Sequence, residues 1–174
     1  MKQRLIVEGV NDFHVIKNLA NKRLPVIDFG FENERRLKSF FVVAGSKEEL
    51  KSKFELTFEE ADIQNIGIII DADETGAVAT WHSIKRILEK EGYQNLPTQP
   101  MLEGTIIFGV NKPKIGIWIM PDNQSAGYLE YFLASLIPDE DNLLPLVRQN
   151  VQHLLDNQIN RFTEIRRQKA EIHT

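Results

Sequence analysis

Asp71 and Asp73 follow the most strand-like run in the chain, Ile66-Gly67-Ile68-Ile69-Ile70, and are separated by a single alanine. Residues two apart in extended backbone project to the same side, so these two can present both carboxylates to one point. Glu8-Gly9 closes an earlier apolar run, Leu5-Ile6-Val7, and Asp122-Asn123 follows a later one, Ile115-Gly116-Ile117-Trp118-Ile119. In open α/β sheets ligands gather beyond the carboxyl ends of the strands, so acidic residues ending three separate runs are candidates for one shared site. The chemistry such a group supports is coordination of a hard cation such as magnesium, whose oxygen shell is completed by water and phosphate. An isolated Asp after a strand is commonly a turn former or a helix cap, so the combination carries the reading.

The charge distribution bears on the same residues. Net charge is −4, which argues against a protein that coats polyanions generically. Residues 1–60 carry 11 Lys/Arg and 10 Asp/Glu, whereas residues 61–145 carry 5 and 12. A local excess of carboxylates repels itself unless it is solvated, protonated or balanced by a cation. Acidic loops on a solvated surface are the ordinary alternative. With no cysteine there is no disulfide framework, thiolate zinc site or catalytic thiol. His14, His82, His153 and His173 are scattered without ligand spacing. Lys22, Arg23, Arg35, Arg36 and Lys38 cluster early in the chain, either gripping a phosphate backbone or forming a solvated face. No Gly-x-x-x-x-Gly-Lys-Ser/Thr loop is present, so an ATPase of that kind is excluded.

The elements that must position these residues alternate between apolar runs and amphipathic stretches, the pattern of a mostly parallel sheet flanked by helices. After the strand 5–7, Asn11 or Asp12 can cap a helix with Phe13, Ile16, Leu19 and Ala20 on one face. Residues 23–38, with Pro25 and Gly30, read as a loop with room for a short strand. Phe40–Val43 is a second strand, and Ser46-Lys47-Glu48-Glu49 is a capping box that opens a helix bearing Leu50, Phe54 and Phe58. Thr75 can cap a helix with Ala77, Trp81, Ile84 and Leu88 inward, and further strands are expected at 105–108 and 115–119. Tyr128–Ile137 is helical, and from Leu143 one long helix is expected to run to Thr174 without a stop signal, through Val147, Val151, Leu154, Phe162 and Ile165. The division is thus an α/β domain over 1–138 and a helical tail over 139–174, which either docks a partner or a second copy or packs back on the domain. No apolar run approaches the ~20 residues a bilayer requires, and the expected compartment is the cytoplasm.

Leu5-Ile6-Val7-Glu8-Gly9-Val10-Asn11-Asp12 resembles the first motif of Toprim domains, a strand ending in Glu-Gly with an Asp three residues on. Ile68-Ile69-Ile70-Asp71-Ala72-Asp73 resembles the second, and the stretch from Pro121-Asp122-Asn123 to Gly127-Tyr128-Leu129-Glu130 is distantly similar to the acidic segment after the last strand in primases. The order of all three is similar to small bacterial Toprim-like proteins, related in turn to the nuclease domains of the overcoming-lysogenization-defect family. The resemblance implies a Toprim/Rossmann-like fold in which Asp71 and Asp73 hold Mg2+ or Mn2+. Glu8 would serve as general acid/base or a further ligand, and Asp12 would support a ligand or cap its helix. Asp122 and Glu130 are the candidates for a second metal. The function implied is phosphoryl transfer on nucleic acid, as in a nuclease. The alternative is a non-catalytic accessory protein that binds a nucleotide or nucleic acid. The run Ile68–Thr75 also looks like the first motif of haloacid-dehalogenase phosphatases, but that reading leaves Glu8-Gly9 unexplained.

Overall fold

The computed structural model describes residues 2–23, 33–163 and 166–173. Five strands form one sheet: β1 (Lys2–Val7), β2 (Phe41–Val43), β3 (Ile63–Asp71), β4 (Thr105–Ile107) and β5 (Lys114–Met120). Their spatial order is β2-β1-β3-β5-β4, and every pairing is parallel except β4 with β5. The sheet is therefore mostly parallel with one antiparallel edge, as the alternating pattern predicts.

Burial alternates along β3, so Ile66, Ile68 and Ile70 point to one face and join Ile6, Ile115, Ile117 and Ile119 there. Helix α3 (Lys47–Thr57) adds Leu50 and Phe54 to this core, and helix α4 (Ala77–Lys90) adds Trp81, Ile84 and Leu88. Each such side chain contributes about 1.5–3 kcal/mol by leaving water. On the opposite face, helix α1 (Val10–Arg23) lays Phe13, Ile16 and Ala20 against Val7 and Phe41. Helix α2 (Glu34–Phe40) adds Leu37 to this smaller cluster.

Chain order around β1 fixes where a ligand can sit. From β1 the chain passes to β2 on one side, then crosses through α3 to β3 on the other. The carboxyl ends of β1 and β3 are consequently the point where the winding reverses, and there the helices following each strand diverge and leave a crevice.

Several local expectations change. Residues 24–32, which include Pro25 and Gly30, lie outside the described residues, but Glu34–Phe40 is helical and not loop. Asn33 makes that helix possible, because its side chain accepts the Arg36 N–H at 3.1 Å. Helix α4 is capped by Gly76 at φ 87° and not by Thr75, whose hydroxyl donates to the Ala72 carbonyl. The tail is not one helix. Helix α5 (Leu129–Ser135) is followed by α6 (Leu143–Asp156) and a short α7 (Arg167–His173). Helix α6 stops because Gln158 turns left-handed (φ 55°), letting the Ile159 N–H return to the Leu154 carbonyl. Ile165 lies outside the described residues. Helix α7 then folds back against α5 and α6. Among the described residues no helix is long and apolar enough to cross a membrane.

Candidate functional site

Glu8 follows the last residue of β1, and Asp71 is the last residue of the neighbouring β3. Both therefore stand at the switch point between the two strands. Asp12 is the third residue of α1, and its Oδ2 accepts the Gly9 N–H at 2.9 Å. This is half of a capping box, with Gly9 in the cap position that Asn11 or Asp12 was expected to fill. A Cβ on Gly9 would lie 3.0 Å from that same Oδ2, so glycine permits the close approach. Asp12 is only 6% exposed.

Three oxygens in this region are buried and, among the described residues, meet no hydrogen-bond donor: Glu8 Oε2, Asp12 Oδ1 and Asp71 Oδ1. Buried polar atoms in folded proteins are overwhelmingly paired, and leaving one unpaired costs about 1–3 kcal/mol. Their electrostatics match the geometry. Burial, then the charges of Asp12, Glu8, Asp73 and Glu130, push the Asp71 carboxyl up to about 8. Burial and the charge of Asp73 raise Glu8, against a backbone hydrogen bond from Asp71. Burial raises Asp12, and Glu130 adds to it. The protein has assembled negative charge here and supplies too few donors to satisfy it.

Asp73 is held differently from the expected extended arrangement. Its backbone is left-handed (φ 55°), and its N–H and C=O exchange hydrogen bonds of 2.9 Å each with Gly127. Its carboxylate pairs with Lys47 at 2.6 Å. The Lys47 ammonium also donates to the Asp71 carbonyl at 2.8 Å and to the Thr80 hydroxyl at 3.0 Å, so all three of its N–H bonds are used. Lys47 thus braces both aspartates from α3. Its sequence context gives only a helix start: the Ser46 hydroxyl does accept the Glu49 N–H at 3.2 Å.

The last acidic segment divides. Asp122 accepts from the N–H groups of Gln124 and Ser125 and from the Ser125 hydroxyl, which hold its carboxyl below the usual range despite a cost of burial. Both of its oxygens serve its own turn. Asn123, fully buried, accepts the Ile119 N–H and donates to the Leu102 carbonyl, anchoring the loop that carries Gly127 to Asp73. Glu130, in the first turn of α5, does belong to the acidic group, since its charge acts on both Asp71 and Asp12. Asp71 and Glu130 line a cleft of about 240 Å³ with Tyr128, Arg166, Gln168 and Lys169.

Among the described residues no three Asp, Glu or His side chains form a ready-made cation cage. Magnesium commonly binds through one or two carboxylates, with waters and substrate phosphates completing its shell, so a closed protein cage is not what this chemistry demands. Orphaned, buried, like-charged oxygens at a strand switch point fit such an open site.

The description "Protein of unknown function (DUF3226)" is that of the family whose profile matches residues 2–174, and the chain belongs to this family. Searches of curated proteins and of solved structures return no match.

Proposed function

We propose that this member of the DUF3226 family is a divalent-metal-dependent phosphoryl-transfer enzyme acting on nucleic acid, most simply a nuclease, with a Toprim-like carboxylate site. The observation that carries this reading is the set of three buried, donorless oxygens on Glu8, Asp12 and Asp71. A carboxylate kept only for structure would have donors, as Asp122 does. Asp71 and Asp73 would hold Mg2+ or Mn2+, with Glu130 as a further acidic group lining the same cleft as Asp71. Bound there, such a cation activates water and offsets charge on a departing phosphate oxygen.

The remaining roles belong to the chain's own residues. Burial and the charge of Asp73 raise the Glu8 carboxyl above its ordinary value, which favours a role as general acid/base. Asp12, fixed by the Gly9 N–H, keeps the group beside Asp71 negative and pre-oriented. Lys47 holds Asp73 and the end of β3 in place.

Nicking of supercoiled plasmid by the purified protein in Mg2+ or Mn2+ tests the reading. Cleavage that needs metal and disappears in both Glu8→Ala and Asp71→Asn/Asp73→Asn is expected. No cleavage, or cleavage indifferent to these substitutions, would move the assignment to a non-catalytic nucleotide- or nucleic-acid-binding accessory protein.

A further inference from the structure

The tail brings cations to the acidic cleft, and their pairing separates them into two groups. Glu171 on α7 is 4% exposed and accepts from Arg148 of α6 at 3.3 Å and from Arg167 at 2.9 Å. The Arg148 contact ties α7 to α6, while the Arg167 contact lies within α7 itself. Arg166 and Lys169 are placed otherwise. Arg166, immediately before α7, and Lys169, in its first turn, lie three residues apart, and both line the same cleft as Asp71 and Glu130. Both are exposed, and among the described residues neither takes part in an ion pair. Gln168, between them in sequence, also lines the cleft and has a buried Oε1 with no donor.

A cleft lined both by cations that have no ion-pair partner among the described residues and by an unsatisfied acidic group is complementary to an anion bridged to a cation. Arginine's planar fork matches phosphate oxygens, and lysine adds a point charge. The space corresponds to about eight water volumes, enough for one phosphate group with some of its hydration. We infer that Arg166 and Lys169 form a phosphate clamp, supplied in cis by the C-terminal helix, which grips a backbone phosphate of the nucleic acid beside the carboxylate site. This inference rests on the metal-site reading of those carboxylates. It also moves the phosphate-binding role away from Arg35 and Arg36, which are exposed on α2.

The test compares the parent with Arg166→Gln/Lys169→Gln and with an Arg35→Gln/Arg36→Gln control. Mn2+ binding is followed by calorimetry. Binding of a fluorescein-labelled single-stranded DNA 12-mer is followed by anisotropy across a salt series in Mn2+. The expected result is that the tail variant binds Mn2+ like the parent but binds the oligonucleotide roughly tenfold more weakly, with a salt slope shallower by about 1. The control should lose far less. Unchanged oligonucleotide affinity in the tail variant, or equal losses in both variants, with Mn2+ binding intact, overturns the clamp alone. Absence of Mn2+ binding in the parent overturns the metal-site reading on which the clamp rests.

Discussion

Replacing Asp71 by Asn should make the metal-free protein more stable. Its carboxyl is raised from 3.8 to about 8 in the folded chain, first by burial and then by Asp12, Glu8, Asp73 and Glu130. At pH 7 the folded group is largely protonated, whereas the unfolded group is ionised, so folding must take up a proton. A group with a raised folded value contributes most below 3.8, and that contribution is lost as pH climbs through about 8. At about 1.4 kcal/mol per tenfold change in proton affinity, the penalty at pH 7 has an upper bound of roughly 4 kcal/mol. Water reaching a group that is not fully enclosed and relaxation of its neighbours reduce this, and about 2 kcal/mol is a working value. The isosteric amide carries no charge, so it escapes both the burial penalty and the repulsion from Asp12 and Glu8. For a protein of this size about 2 kcal/mol corresponds to a rise in Tm of about 4–8 °C. Differential scanning calorimetry in EDTA at pH 7 reads this directly. The gap between variant and parent should be small near pH 4, widen through neutrality and level off above pH 8. A variant that melts below the parent at pH 7, or a gap independent of pH, would refute the claim that Asp71 is held in an unneutralised acidic group.

Lys47→Met removes the shared partner of Asp73, the Asp71 carbonyl and Thr80. It should lower stability by about 1–3 kcal/mol, read as a shifted urea midpoint at unchanged slope. Glu171→Ala removes the buried carboxylate shared by Arg148 and Arg167. The expected outcome is hydrogen exchange across residues 167–173 faster by about tenfold or more, with β1 and β3 unaffected; equal acceleration everywhere would mean that the contact supports the whole fold and not the position of α7. Gly9→Ala places a Cβ 3.0 Å from Asp12 Oδ2. It should weaken Mn2+ binding while changing Tm by less than about 4 °C, since a shift of a few tenths of an ångström disturbs the site more than the core.

Much of this arrangement is readable in the amino-acid sequence because central parallel strands, buried on one face and half-buried on the other, leave continuous apolar runs. Ile66–Ile70 and Ile115–Ile119 are of that kind, and acidic residues at or just beyond the ends of their strands stand out against them. What is not readable depends on contacts distant in sequence. Lys47 sits in a capping box, and nothing local states that its ammonium crosses to the end of β3, 24 and 26 residues on. Asp122 has the same sequence context as a ligand, yet its own turn supplies its donors through Gln124 and Ser125. The tail keeps helical periodicity through a left-handed Gln158, a position where no glycine or proline marks the stop. With that break invisible, the return of α7 to the cleft is invisible too, and Arg166 and Lys169 read as surface charges on a continuing helix.

In the proposed function the carboxylates at the ends of β1 and β3 hold a divalent cation. Calorimetric titration of Mn2+ into the parent and into Asp71→Asn/Asp73→Asn addresses it most directly. Saturable binding by the parent is expected, with binding weakened by roughly 100-fold or more in the double variant, which should remain folded by circular dichroism. Equal Mn2+ affinity in the two proteins, or no binding by the folded parent, would contradict it.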